Sequence, residues 1–561
     1  MCIRDSFVVL LNLFLYRSFR ALTAFLVTIA ATVLLTEAFA GVMGYVSTIV
    51  SSLVPLTVLI TCTANLVYIH SLYVACPEGT DRRAHQIFTL CNKCLPCTAS
   101  VFAAAVGFAA LGVSGIRPIR EMGFWVAAGM GITWLASFTL FPALERVLRT
   151  PTLTERKTAG AWWPRIVARL PRLSYRWRWW LVPGSFVLMI AGGVALFGLP
   201  GVVEPMRLET DSLDYIDHTL PLYRDTRRFE QRMSGLSVIE AWVKIPDGRA
   251  LDPEVLRGLH RFGAMLEADP RVGSAMGPTT LLQWIRYVGG QGEVLPDDPG
   301  AWRKLSADLE QLLLERPELR GYLDVATLGN ARVRVITRGG FGGYVGLKEF
   351  VRDVWSEARQ RSPALAGCTV EVVGSGMLQA KIAYYLVPTL TESFGLTAAI
   401  IFFSFLLVFR SGVARLMAMI PSVFAILAMF LVMRVTGIAL NVATILIAST
   451  VLGASENDQI HFFYHFQEGW KSASTEGALR HALTVSGRAI VFATLINAGG
   501  FLALALSPLP PMRQFGIVSA CAFLLSMVAD FTALPASLWI LFREKPDDAS
   551  EETGTAILDE P

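Results

Sequence analysis

Apolar residues fall along this chain in long runs, broken by short charged or glycine-rich connections. About 20 apolar residues suffice to cross a bilayer as a helix. Runs of that length fall near 20–44, 46–75, 97–115, 119–146, 180–200, 387–409, 412–434, 437–466, 487–507 and 512–542, with a shorter one at 7–16. Between 201 and 386 the pattern changes to short alternating and amphipathic segments. It predicts strands over Leu236–Ile245, Arg271–Met276, Ala331–Thr337 and Cys368–Gly374, helices over Asp252–Glu267 and Leu347–Arg361, and a helix-rich stretch through Leu319. Two β-α-β units of this kind predict a ferredoxin-like, split β-α-β domain. Gly339-Gly340-Phe341-Gly342-Gly343 lacks the Lys-Ser/Thr of a phosphate loop and reads as a turn.

Charge orients the runs. Nine basic residues lie between Arg146 and Arg178, which places that connection in the cytoplasm. Arg17 with Arg20, Arg82 with Arg83 and Lys93, Arg410 with Arg415, and Lys471 with Arg480 and Arg488 then fall on the same side by alternation. Arg117, Arg120, Arg434 and Arg513 fall on the other, a minority against the rule. The expected division is a first transmembrane block over 1–146, a basic interfacial linker over 147–179, and a transmembrane helix over 180–200. An extracytoplasmic α/β domain over 201–386, a second transmembrane block over 387–543 and a cytoplasmic acidic tail over 544–561 follow. Trp162, Trp163, Trp177, Trp179 and Trp180 interleave with arginines in the linker, as in a helix lying among lipid headgroups rather than on nucleic acid.

Composition agrees with a polytopic membrane protein: 53% of residues are apolar, 17% are charged, and mean hydropathy is +0.50. The eight cysteines form no disulfide framework in a chain this long. Cys91, Cys94 and Cys97 have metal-like spacing, but no fourth ligand stands nearby and the run enters an apolar segment, so neither a metal nor another cofactor is expected.

An internal repeat organises the membrane runs. A shift of 393 positions sets Gly44 on Gly437, Thr57-Val58-Leu59 on Thr450-Val451-Leu452, Gly107-Phe108 on Gly500-Phe501, and Pro118, Arg120 and Gly123 on Pro511, Arg513 and Gly516. The two halves run parallel, and transporters place their sites at such repeat interfaces. The halves differ where charge appears. Asp458 falls on Asn65, Glu456 on Thr63, His461 on Tyr68 and Asp530 on Ser137.

The charged stretch is Gly453-Ala454-Ser455-Glu456-Asn457-Asp458-Gln459-Ile460-His461. A charge at bilayer depth costs roughly 2.5–3.5 kcal/mol on insertion scales, so these acids need partners, water or a proton. On a helix, Asp458 and Asn457 share a face with His461, while Glu456 points elsewhere. The candidate proton-handling residues are therefore Asp458, Glu456, Asn457, His461 and Asp530. A facing polar stripe of Asn65, Thr63 and Tyr68 comes from the other half, with Thr494 and Asn497 as support. Three other readings stand beside it: polar glue between helices, a metal on Asp458, His461 and His465, and an aspartyl hydrolase using Asp458 with Asp530.

In combination these motifs, with Leu208-Glu209-Thr210-Asp211-Ser212-Leu213-Asp214-Tyr215 and Pro510-Pro511-Met512-Arg513-Gln514-Phe515-Gly516, resemble the resistance–nodulation–division superfamily, in its MMPL-like, sterol-sensing-related branch of hydrophobe exporters. The resemblance implies an all-α transmembrane bundle of two parallel halves, with about eleven of the family's twelve helices present, and one ferredoxin-like porter domain. It also implies a bacterial inner-membrane exporter of a lipid or other hydrophobic molecule, proton-coupled through Asp458. Catalysis is not expected, and there is room for a homo-oligomer and periplasmic partner proteins. The alternative it leaves is a non-transporting sensor or scaffold of the Patched kind. Asn457 stands where the family's first acid would be, and the first half has no acid at the equivalent place. The repeat register further predicts about 200 additional N-terminal residues, holding a helix and a second porter domain, with the first six residues here not native.

Overall fold

The computed structural model describes residues 18–542 except 49, 75, 77–79, 152–161, 210–211, 234, 325, 339–340, 342, 405–419 and 472. The run at 7–16, the acidic tail, Arg410 and Arg415, most of the glycine-rich turn, and Asp211 lie outside the described residues, as does the side chain of Asp214. The chain forms two compact units. One combines residues up to Glu209 with those from Pro388, and the other is Thr210–Val387.

The first unit is helical. It comprises α1 (Phe19–Met43), α2 (Val54–Val74), α3 (Arg82–Ala109), α4 (Arg117–Phe138), α5 (Leu140–Leu148) and α6 (Trp162–Phe197). In the second unit α7 (Pro221–Arg232) precedes β1 (Ser237–Lys244), α8 (Pro253–Glu267), β2 (Val272–Met276), α9 (Pro278–Val288), α10 (Pro299–Glu315), β3 (Asn330–Thr337), α11 (Gly343–Arg361) and β4 (Thr369–Val373). Then come α12 (Ser375–Ser404), α13 (Ile420–Thr436), α14 (Val442–Trp470), α15 (Thr475–Ala482), α16 (Arg488–Leu502), α17 (Pro510–Phe531) and α18 (Ala533–Leu541). Among the described residues, seven helical segments are long and apolar enough to cross a membrane, and α13 is a shorter apolar helix.

Element boundaries repeat with the sequence. The ends of α1 and α13, the starts of α3 and α15, and both ends of α4 and α17 and of α5 and α18 are related by the same 393-residue shift. The repeat extends to backbone detail. Gly44 and Gly437 close α1 and α13 with φ of 69° and 73°, a left-handed conformation that a Cβ disfavours. Helices of opposite halves pack reciprocally, α14 on α3 and α16 on α2. One difference between the halves is that α3 is continuous, whereas a π-turn at Leu483–Gly487 separates α15 from α16.

Several helix starts differ from the sequence expectation, among them α12, which begins at Ser375 rather than near 387. The run expected from 97 begins at Arg82, capped by the Asp81 side chain, because about four helical turns precede its apolar part. Lys93, expected in a cytoplasmic connection, is therefore inside α3 and only 1% exposed. Likewise α6 runs through the boundary expected at 179 and 180, so the tryptophan-rich linker and the following span form one helix despite Pro171 and Pro183.

The second unit holds one four-stranded antiparallel sheet in the order β2-β3-β1-β4, with α8 linking β1 to β2 and α11 linking β3 to β4. Alternation explains its two faces. Ile239, Ala241, Val243, Val333 and Val335 are buried with Phe262 of α8 and Trp355 of α11, whose rings meet edge-on at 5.0 Å. The other face carries Glu240 between Arg332 and Arg334, at 3.6 and 3.5 Å.

The repeat makes a stability prediction. A Cβ on Gly123 would lie 2.5 Å from the Phe108 carbonyl oxygen, and one on Gly516 would lie 2.5 Å from that of Phe501. Gly123→Ala and Gly516→Ala should each destabilise the membrane unit by about 1–3 kcal/mol, seen as a lower thermal midpoint in detergent. Gly131→Ala, on α4 with nothing within 4 Å of its Cβ, is the control and should not lower it.

Candidate functional site

The charged stretch lies in the middle of α14, with Glu456, Asn457, Asp458, Gln459 and His461 all buried. Helical spacing then sends them to different neighbours. Asp458 receives hydrogen bonds on both carboxylate oxygens. Tyr68 of α2 donates to Oδ1 at 2.6 Å, and Thr494 of α16 donates to Oδ2 at 3.0 Å. Hydrogen bonds to a charged acceptor are worth about 1.5–3 kcal/mol each, which offsets much of the cost of the buried charge.

One of these donors comes from the opposite half. Tyr68, the repeat partner of His461, lies flat against the His461 ring, with centroids 3.9 Å apart and planes 2° apart. The Tyr68 side chain thus bonds Asp458 through its hydroxyl and stacks on His461 through its ring. On its other side His461 Nε2 lies 3.7 Å from Cys97 Sγ of α3.

The remaining candidates divide. Glu456 faces α13, near Ser422, and does not join the Tyr68–Asp458–Thr494 group. Asp530 is buried on α17 beside Gln459, which also donates to Ser422 Oγ at 2.6 Å. Among the described residues, neither acid has a partner that meets full hydrogen-bond geometry. The same holds for the Asn65 side chain, one oxygen each of Asn457 and Asn497, and the hydroxyls of Ser137, Ser519 and Ser526. So many buried polar atoms without protein partners mark an interior that suits internal water. Thr63, expected in the facing stripe, instead donates to Leu59 of its own helix at 2.7 Å.

A second polar group, which the sequence reading did not assemble, follows along α14. Lys93 Nζ lies 2.9 Å from His465 Nε2, whose Nδ1 lies 2.9 Å from Glu468 Oε2, and His481 Nε2 of α15 reaches the same oxygen at 3.4 Å. Asp458, His461, His465 and Glu468 therefore form a ladder of steps three and four along one helix, matched by Cys97 and Lys93 on α3. That spacing was the available signal. Cys91 and Cys94 are exposed, so the cysteine run does not converge on one point.

The motif after α6 also has a structural role. Leu208 pairs with Leu440 just before α14, where Glu209 N donates to Leu440 O at 2.7 Å and Leu440 N to Arg207 O at 2.9 Å.

Comparison with known proteins agrees with this architecture. The fold is similar to that of the hedgehog release protein Disp from the water bear Hypsibius dujardini, with a TM-score of 0.65 at 13% identity, covering 96% of this chain and 69% of that one. MJ1562 of Methanocaldococcus jannaschii, named only as a membrane protein, is 30% identical over 34% of this chain and 49% of its own length. SCO0839 of Streptomyces coelicolor, also named only as a membrane protein, is 26% identical over 65% of this chain and 46% of its own. The chain thus spans about half the length of the curated relatives it matches. The family model of the MMPL family matches residues 6–174 and 218–555, on both sides of the α6-to-α7 connection, and the chain is therefore a multi-pass membrane protein belonging to the MMPL family.

Proposed function

We propose that this chain exports a hydrophobic or lipid-like molecule across a bacterial inner membrane, driven by proton movement through Asp458. The observation that carries the reading is the pair of hydrogen bonds on Asp458, one of them from Tyr68 of the opposite half. A carboxylate accepts both bonds. Its protonated form must turn one oxygen into a donor, which changes the bonding to α2 or α16. Proton gain and loss are thereby coupled to the packing of one half on the other. Asp530, Glu456, Asn65, Asn457 and Asn497, all buried and polar, are the surround through which a proton would reach Asp458 in this reading.

The two-half, eleven-span reading is supported by element boundaries that repeat at a shift of 393. A ferredoxin-like porter domain outside the cytoplasm is supported by the strand order β2-β3-β1-β4 with a helix in each crossover. In this reading the second unit forms the substrate path, and movement within the helical unit drives it.

Two measurements test this. In proteoliposomes under an imposed pH gradient, Asp458→Asn should reduce hydrophobe export to background, at least 100-fold. Tyr68→Phe, which keeps the ring on His461 but removes one hydrogen bond, should cost about 10-fold, corresponding to about 1.4 kcal/mol. Export by Asp458→Asn at the wild-type rate would end the proton-site reading and favour a sensor or scaffold of the Patched kind. For orientation, an alkaline phosphatase fusion at Asp298 in α10's N-cap should be active and a cytoplasmic reporter there silent. The reverse pattern would invert the assigned topology.

A further inference from the structure

The groups on α14 beyond His461 converge in a way that proton handling at Asp458 does not require. His465 and Glu468 are three residues apart, so both project from one face of the last turns of α14. His481 approaches from α15. The two imidazoles meet one carboxylate oxygen, Glu468 Oε2, at 2.9 and 3.4 Å, and the three ligand atoms all lie within 4.8 Å of one another. Ligands about 2.0–2.2 Å from a tetrahedral metal are themselves about 3.3 Å apart, so the group is already near that spacing.

Two features of the surroundings fit a built site. The first is Gly469, between the two sets of ligands. A Cβ there would lie 3.0 Å from His481 Cβ and 3.1 Å from Ala478 Cα, so a residue without one favours the close approach of α15 to α14. The second is burial on one side only. His465 is fully buried, while the Glu468 and His481 side chains are 48% and 41% exposed, so the open side faces solvent. Two histidines and a carboxylate with a fourth position open to water form a set that suits a zinc-class divalent ion. Imidazole nitrogens exclude magnesium and calcium as preferred occupants.

We propose that His465 Nδ1, Glu468 Oε2 and His481 Nε2 form a binding site for a divalent transition-metal ion of the zinc class, filled from the exposed side of Glu468 and His481. Lys93 Nζ lies 2.9 Å from His465 Nε2, a contact that holds the ring in the orientation that aims Nδ1 at Glu468. An ion at this site ties the end of α14 to α15, beside the π-turn that opens α16.

The site exists independently of the export reading, and its test is binding. Tag-free, full-length protein in detergent is titrated with Co²⁺ alone and then with Zn²⁺ as competitor, following the visible d–d absorption of tetrahedral Co²⁺. Wild type should bind one Co²⁺ with that spectrum and lose it to Zn²⁺. Glu468→Gln and His481→Ala, both at half-exposed positions that leave the fold intact, should each weaken binding at least 10-fold. Asp458→Asn should bind as wild type does, which separates this site from the one proposed for protons. No tetrahedral Co²⁺ spectrum in wild type would overturn the proposal, as would a spectrum and affinity unchanged in both Glu468→Gln and His481→Ala.

Discussion

A carboxyl group in the middle of a membrane bundle must be held by the protein around it, and here Asp458 is held from two directions. Tyr68 and Thr494 occupy its two oxygens, from α2 of one half and α16 of the other. The arrangement requires α14 to lie against helices of the first half, and the reciprocal packing of α14 on α3 and α16 on α2 supplies that. It also requires a tyrosine where the second half has its histidine. The stack of Tyr68 on His461 places two repeat-equivalent residues against each other at the interface of the halves. Asn65 stands in the first half where Asp458 stands in the second, so the charge is carried by one half and its main aromatic support by the other.

The polar interior has a graded character along α14. Near Asp458 the groups are buried and several lack protein partners, as at Asn65, Glu456 and Asp530. Toward Glu468 the side chains pair directly with one another and reach the surface. The first region suits a mobile proton and internal water, and the second suits a fixed ligand set. One helix serves both because residues three and four apart share a face, so a ladder of polar positions extends the stripe without exposing it to lipid.

Much of this was legible in the sequence. The 393-residue register places the halves and matches the ends of α4, α5, α17 and α18, because both copies keep the same prolines, glycines and small residues at their turns. Alternating apolar residues located all four strands to within a residue or two, since each strand buries only one face. Asp458, Tyr68 and Thr494 were recognised as candidates because polar residues are rare in apolar runs. Lys93 was misplaced because a single positive charge at the edge of an apolar run resembles a loop residue, while the structure starts α3 about four turns before that run. Glu468 continues the three-and-four spacing of α14, but its meeting with His481 on a separate helix is recorded by no spacing in the sequence. Thr63 shares a helix with Tyr68, but its hydroxyl is satisfied within its own helix.

In the proposed function Asp458 gains and loses a proton while bonded to Tyr68. Infrared difference spectroscopy of the full-length protein in lipid, stepped across pH, observes this at the carboxyl group itself. The account predicts a carboxylic C=O band in wild type that disappears in Asp458→Asn and changes frequency in Tyr68→Phe, since loss of the phenol hydrogen bond alters that C=O stretch. A pH-difference spectrum identical in wild type, Asp458→Asn and Tyr68→Phe would contradict it.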